Sequence, residues 1–472
     1  LLSLARRVIV AFSIAGTSFM KLEMLLLGAA GLLMTSPAVA AGQSCPADYA
    51  KQAHALVEEQ AKASRFTGSV LVAKDGVPLL RESFGAANRE WDIANTPDTK
   101  FRLGSLTKQF TAVAILQLAE AGKLSIDDPV SKLYADAPAA WSKITIRHLL
   151  NHTSGIPSYT AIPGFFENGS SKKPLKPEEI VKLTQDKPLE FEPGAKFAYD
   201  NTGYILLGVV IEKASGQTYA DYLNQHIFQP LGMKNTGYDV SGEILAKRAS
   251  GYEPGKSGWR NANYLDMTLP YAAGSLYSTV DDLLIWNTAL TNGKILNDAS
   301  RKAAWTENLN HYGFGWGIAL QDGHERVSHN GGINGFSTAM NRYPKDGLVT
   351  IVLSNFQAAP STPLANNLAA LCFGTYAAAK AITLPTAVLD RYVGSYALSP
   401  TFILKVYREG DKMVTQATGQ PPTPIVATAP GEFYAAGPDA RLSFKQSGDA
   451  PATAVTLRQG GRDVEAPRVT DK

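Results

Sequence analysis

Residues 45–382 carry strand patterns at both ends and helix patterns between them, an order that few folds accommodate. Near the start, Gly68-Ser69-Val70-Leu71-Val72-Ala73-Lys74 and Val77-Pro78-Leu79-Leu80-Arg81 flank Asp75-Gly76, a pair suited to the positive φ angles of a tight hairpin turn. Near the end, Tyr312 to Leu320, Gly335 to Tyr343 and Leu348 to Ser354 read as strands again. Tyr49, Ala53, Leu56 and Val57 mark one face of a leading helix from Asp48 to Arg65, and Leu364 to Cys372 reads as a closing helix. Between them, Thr111 to Ala119, Pro177 to Gln185, Gly203 to Ala214 and Tyr219 to Phe228 are helical, with Pro157, Pro163, Pro174, Pro188 and Pro193 in the loops. The expected fold is α+β: one antiparallel sheet assembled from both ends of this region, flanked by helices, with an inserted helical region.

Thr383-Leu384-Pro385-Thr386 reads as a linker. Beyond it, short alternating runs (Phe402 to Tyr407, Lys412 to Gln416, Arg441 to Phe444, Ala454 to Arg458) predict a small all-β domain over residues 388–472. At the other end, Met20-Lys21-Leu22-Glu23, the apolar stretch Met24 to Met34 and Ser36-Pro37-Ala38-Val39-Ala40-Ala41 have the layout of a secretory signal peptide, with residues 1–19 an upstream extension. The apolar stretch is shorter than the ~20 residues a membrane span needs. Residues 1–41 are therefore expected to be removed, leaving an exported protein, periplasmic or secreted, with no stable membrane span. Export leaves two readings for the only cysteines, Cys45 and Cys372: a disulfide, or two buried thiols.

Several chemistries are excluded. The formal charge is +3 with no long basic run, so nucleic acid is not an expected partner. The seven histidines stand in no metal-ligand spacing. Gly251 to Ser257 imitates a phosphate loop but is one residue short and follows no clear strand. No metal and no cofactor are expected.

What remains is nucleophilic chemistry. Ser-x-x-Lys occurs twice, at Ser105-Leu106-Thr107-Lys108 and at Ser170-Ser171-Lys172-Lys173. A free lysine titrates near ~10.4 and is neutral about once in 2,500 at pH 7, so a lysine base needs about 4 kcal/mol of selective destabilisation of its ammonium. Lys108, at the head of an apolar helix, can be desolvated enough for that; the second match lies in a polar loop. Tyr199-Asp200-Asn201 stands just before another apolar helix, and His329-Asn330-Gly331-Gly332 follows a strand-like run. Each has a lookalike, Tyr222-Leu223-Asn224 inside a helix and His311-Tyr312-Gly313 without flanking glycines, so neither carries weight alone.

Together and in this order, Ser105/Lys108, Tyr199/Asn201 and His329/Gly331 resemble the three elements of the serine β-lactamase and penicillin-binding-protein superfamily, in particular its class C-like branch of D-peptidases and esterases. The His148 to Gly155 stretch and Ala273-Gly274-Ser275-Leu276-Tyr277-Ser278-Thr279 are similar to further segments of that branch. The resemblance implies a β-lactamase/transpeptidase-like domain over residues 45–382 and a barrel-like C-terminal domain, which would either overhang the cleft or mediate self-association. It implies that Ser105 attacks a carbonyl to form an acyl-enzyme, with Lys108 and Tyr199 handling the proton, and leaves open which of the two is the base. Asn201, His329, Gly331 and Gly332 would bind substrate, the backbone N–H groups of Ser105 and Gly332 forming an oxyanion hole. Expected substrates are small esters, amides or D-amino-acid peptides. A class C-like β-lactamase, a D-alanyl-D-alanine carboxypeptidase and a non-catalytic receptor for cell-wall fragments are the alternatives. One departure bears on specificity. Histidine stands at 329 where penicillin-specialised enzymes carry lysine, and a histidine of ordinary pKa is only about a quarter protonated at pH 7. Weak or pH-dependent binding of carboxylate substrates is the expectation.

Overall fold

The computed structural model describes residues 44–470 apart from 257, 377–380, 421, 436–439, 460 and 461. The predicted signal segment, residues 1–41, lies outside the described residues.

Helix α1 (Tyr49–Lys62) buries Tyr49, Ala53, Leu56 and Val57, the four positions its spacing selects. Strands β1 (Gly68–Lys74) and β2 (Val77–Phe84) form the hairpin, with φ of 51° at Asp75 and 79° at Gly76. From the far end come β3 (Gly317–Gln321), β4 (His324–Ile333), β5 (Phe336–Tyr343) and β6 (Leu348–Ser354). The sheet order is β3-β4-β5-β6-β1-β2, antiparallel throughout, with Val70 opposite Val352 and Leu71 opposite Ile351 at the seam between the two ends. The fold is thus α+β, as the order of patterns implies.

Side chains alternate across the strands, so each face of the sheet carries its own core. Leu71, Ala73, Ile351 and Leu353 pack with helices α2 (Thr107–Glu120) and α3 (Asn201–Ser215) of the inserted region. Val70, Val72 and Val352 pack with α1 and with α4 (Ser361–Phe373). Cys45 and Cys372 form a disulfide that ties the segment before α1 to the end of α4, which decides between the two readings of the cysteines. One stretch departs from its pattern: the strand expected from Tyr312 begins only at Gly317. Residues 309–311 make a short turn ahead of it, and within the expected run Gly315 takes a positive φ of 81°, which interrupts the extended backbone before Gly317.

The C-terminal domain is a closed eight-stranded barrel, β7–β14 (Gly394–Ser399, Phe402–Glu409, Lys412–Ala417, Thr423–Ala429, Glu432–Ala435, Ala440–Lys445, Ala454–Gln459, Arg462–Val469). Each strand pairs with the next and β7 closes on β14. Eight strands leave an interior that side chains can fill, here Tyr392, Tyr396, Phe433 and Phe444 packed edge to face. Barrel residues Val426 and Tyr434 border a cavity with Leu56, Glu59, Pro363 and Leu364, on the α1/α4 side of the sheet.

Candidate active site

Ser105 occupies a single 3-10 turn, Gly104–Leu106, that runs directly into α2. Glycines allow this turn to lie against β4. Gly104 has φ of 55° and its Cα faces the Gly332 backbone, while a Cβ on Gly331 would fall 2.0 Å from the Leu103 carbonyl oxygen. The turn is pinned from both sides: Thr338 Oγ1 donates to Leu103 O at 2.8 Å, and the Leu103 N–H donates to Leu276 O at 2.8 Å.

α2 is buried on nearly every face, and Lys108, on its first turn, is wholly buried with it. A buried ammonium must find partners. Lys108 Nζ donates to Ser105 Oγ at 3.1 Å, to Asn201 Oδ1 at 2.9 Å and to the Ala273 carbonyl at 2.9 Å. It also lies 4.8 Å from the ring centroid of Tyr199 and 5.3 Å from that of Tyr204. Loss of hydration holds its pKa down to about 7, against the pull of the Asp200 carboxylate. Roughly half of such lysines are neutral at pH 7. Tyr199, 40% exposed at the mouth of the site, hydrogen-bonds Ser105, and the desolvation of its hydroxyl end, reinforced by the Asp200 charge, raises its phenol above the ordinary tyrosine value.

Asn201 is the first residue of α3; its Oδ1 faces Lys108 and its Nδ2 donates to Thr160 Oγ1 at 3.0 Å. Asp200, which in sequence only fills the gap in Tyr-x-Asn, is buried behind them and caps α3, accepting from the Gly203 N–H at 2.9 Å and from Ser154 Oγ at 3.3 Å. Its other oxygen, Oδ1, has no partner among the described residues, and burial pushes its carboxyl well above the usual range. His152 accepts from the Asp200 N–H at 3.1 Å and packs 4.2 Å from the Tyr199 ring, at a left-handed φ of 58°. A buried polar atom without a partner and strained backbone both collect at sites where geometry is held against its local preference.

His329 lies on β4 and is 8% exposed. Its Nδ1 is 2.6 Å from the Asn330 carbonyl and its Nε2 is 2.8 Å from the Tyr312 hydroxyl. Burial, aided by the nearby Lys108 charge, pushes its pKa down to about 3. Desolvation thus holds His329 neutral near pH 7, where its residue type alone implies partial protonation. Between Ser105, Asn201 and Gly332 on one side and Tyr159, Phe166 and Leu269 on the other lies a cavity of about 120 Å³, lined among the described residues by the hydrolase unit. The second Ser-x-x-Lys match is a separate 3-10 turn, Ser170–Lys172, with Lys172 and Lys173 exposed. The three motifs give no role to Asp200, His152, Thr160, Ala273 or Tyr312, although His152 and Ala273 lie in the two further segments that resemble the family. For Asp200 a signal is present, an acid immediately before an apolar helix, which is a capping position.

The Beta-lactamase family profile matches residues 53–372, which include Ser105, Lys108, Tyr199, Asn201 and His329. Penicillin-binding protein 4* of Bacillus subtilis (strain 168) is 33% identical over 452 residues, 89% of this chain and 98% of that protein. The chain belongs to the Beta-lactamase family. It is a β-lactamase-related serine hydrolase. Among solved structures of this superfamily, the octameric penicillin-binding protein homologue from Pyrococcus abyssi superposes with a TM-score of 0.65 at 28% identity, covering 88% of this chain and 99% of that one. A D-stereospecific amidohydrolase from Streptomyces sp. gives 0.58 at 28% identity, covering 70% and 100%.

Proposed function

We propose that this chain is an exported hydrolase that acts through a Ser105 acyl-enzyme on small esters, amides or D-amino-acid peptides. The observation that carries the reading is a buried lysine with a pKa of about 7 placed 3.1 Å from a serine hydroxyl at the head of a helix. Ser105 Oγ adds to the substrate carbonyl carbon as its proton passes to neutral Lys108. The charge that builds on the carbonyl oxygen is taken by the backbone N–H groups of Ser105 and Gly332, each such donor contributing ~2.7–4 kcal/mol. The proton then passes from the Lys108 ammonium, relayed through the Tyr199 hydroxyl, to the leaving alcohol or amine as the tetrahedral intermediate collapses, which leaves both groups neutral. Water then attacks the ester of Ser105 and the same groups run in reverse. Of the two groups that share the proton, Lys108, with a pKa near the working pH, is available in its neutral form to accept the proton and as an ammonium is the stronger acid, so Tyr199 serves as a relay.

The neutral His329 and the apolar wall of Tyr159, Phe166 and Leu269 favour substrates without a free carboxylate near the leaving group. The likeness to a D-stereospecific amidohydrolase supports amides among them. Export is supported by the Cys45–Cys372 disulfide, a bond that persists in oxidising compartments. Among the described residues no helix is long and apolar enough to cross a membrane. Self-association is part of the proposal, since the Pyrococcus abyssi relative is octameric; light scattering tests it. The central test is intact-mass analysis after a fluorophosphonate or a β-lactam. Wild type should gain one adduct and Ser105→Ala none, and a panel of esters, D-aminoacyl amides and cephalosporins should then rank the amides and esters first. An unlabelled, inactive wild type would point instead to a receptor for cell-wall fragments.

A further inference from the structure

His311-Tyr312-Gly313 looks in sequence like a failed copy of the motif at 329–331, and its histidine does stay outside the site, pairing with Glu307 at the surface. The tyrosine beside it goes inward. The two residues before it, Asn310 and His311, take left-handed φ angles of 57° and 56°, a conformation uncommon for residues that carry a Cβ. Such strain persists only where the surroundings enforce it, and here it turns Tyr312 into the core, 7% exposed. Its ring meets His152 at 4.9 Å, Phe197 at 5.7 Å and the edge of Tyr199 at 6.4 Å. Its hydroxyl ends 2.8 Å from His329 Nε2.

The other nitrogen settles the direction of that bond. His329 Nδ1 is 2.6 Å from the Asn330 carbonyl, and a carbonyl oxygen only accepts, so Nδ1 carries the ring proton. In a neutral imidazole Nε2 is then an acceptor, and the Tyr312 O–H donates to it; Tyr204, whose own O–H goes to the Leu150 carbonyl at 2.7 Å, is the competing acceptor for that proton. We propose that Tyr312 is a specificity-determining positioning residue: by donating to His329 Nε2 it holds the imidazole as the neutral Nδ1–H tautomer, and so withholds the N–H donor and positive charge that a substrate carboxylate would need at this end of the site. Both ring nitrogens are spent inside the protein, and an uncharged ester or amide meets no penalty that a carboxylate would.

The groups facing the ring agree with this role. Lys108 of α2 repels an imidazolium, His152 is itself held neutral by burial, and Tyr199 and Tyr312 are uncharged phenols. None of these side chains favours a protonated His329; burial is the main cause of its depressed pKa and the Lys108 charge adds to it, while the Asn330 carbonyl pulls the other way.

The consequence for substrate choice rests on the hydrolase reading above, so the test has one arm that does not need turnover. Histidine side-chain ¹⁵N NMR of the full chain, with the His329 signal identified by its loss in His329→Gln, reads tautomer and charge directly. In wild type the signal should stay that of a neutral Nδ1–H ring from pH 5 to 8. Tyr312→Phe, which keeps the ring and removes only the hydroxyl, should mix the tautomers or bring a titration into that window. In the second arm, kcat/KM is measured for a D-aminoacyl amide and for the matching dipeptide with a free carboxylate. The amide preference should be flat with pH in wild type and should fall about 5-fold or more at pH 5.5 in Tyr312→Phe, the size expected for one hydrogen bond. A wild-type His329 that titrates between pH 5 and 8, or that carries its proton on Nε2, overturns the proposal whether or not the variant folds. So does a folded Tyr312→Phe with unchanged tautomer, titration and preference. If no substrate is turned over while the NMR result holds, the hydrolase reading is at fault and the tyrosine lock stands.

Discussion

The hydrolase sheet and the C-terminal barrel are both antiparallel, yet they are assembled in opposite ways. In the barrel each strand pairs with its neighbour in sequence, and only the closing pair, β7 with β14, spans the domain. In the sheet, β1 pairs with β6, so that Val70 meets Val352 across the whole inserted region. Closing so long a loop costs entropy that local hairpins do not incur, and the cost must be recovered by packing on both faces and by the Cys45–Cys372 bond. The same closure brings residues 105, 199, 201 and 329 within reach of one another. Non-local assembly is what makes a composite site, and among the described residues the locally built barrel adds none to the cavity beside Ser105.

That contrast can be broken experimentally, beginning where the effect is largest. Ser105→Ala should lower kcat/KM by ~10⁴-fold or more, whereas a chain lacking residues 388–472 should still take up a fluorophosphonate at Ser105; a barrel-less chain that folds but does not label would show that the barrel completes the site. Next is pH. Lys108 acts as a base only when neutral, and its pKa is about 7, so kcat/KM should fall about tenfold per pH unit below that value. A profile flat from pH 5 to 8 would remove Lys108 from the base role.

Reduction of Cys45–Cys372 should lower the stability of the hydrolase unit by about 2–5 kcal/mol and leave the barrel's melting unchanged, since the barrel holds neither cysteine. Calorimetry with and without reductant reads this, and an equal shift of both would mean that they unfold as one unit. The smallest effects come from one substitution made in each region. Gly331→Ala would set a Cβ 2.0 Å from the Leu103 oxygen and 2.4 Å from Thr338 Oγ1, and should cost about 3 kcal/mol and reduce acylation as β4 is pushed off the Ser105 turn. Gly410→Ala, in a barrel hairpin with φ of 67° and open space around it, meets only backbone strain and should cost about 1–2 kcal/mol with activity intact.

Features with a short repeat are legible in the order of the residues. The Asp75-Gly76 turn, the buried face of α1 and the Pro177–Gln185 helix follow from preferences that act within a few residues. The same is true of Ser105 and Lys108, one helical turn apart. The start of β3 is not legible in this way. Tyr312 to Leu320 alternates as a strand would, yet Gly315 within it takes φ of 81° against the Lys108 backbone of α2, a contact far away in the chain.

The amino-acid order by itself therefore determined the α+β plan, the separate all-β tail and the set of chemically able side chains, since each depends on local periodicity and residue type. The tertiary structure alone decided how those side chains are charged and what they face. Whether Cys45 pairs with Cys372, whether Asp200 is a buried cap or a solvated acid, and whether Lys108 is half neutral at pH 7 all depend on burial and on partners far away in the chain. His329 is the sharpest instance. Its residue type predicts a group that titrates near neutrality, and desolvation beside Lys108 and Tyr312 removes that titration from the physiological range.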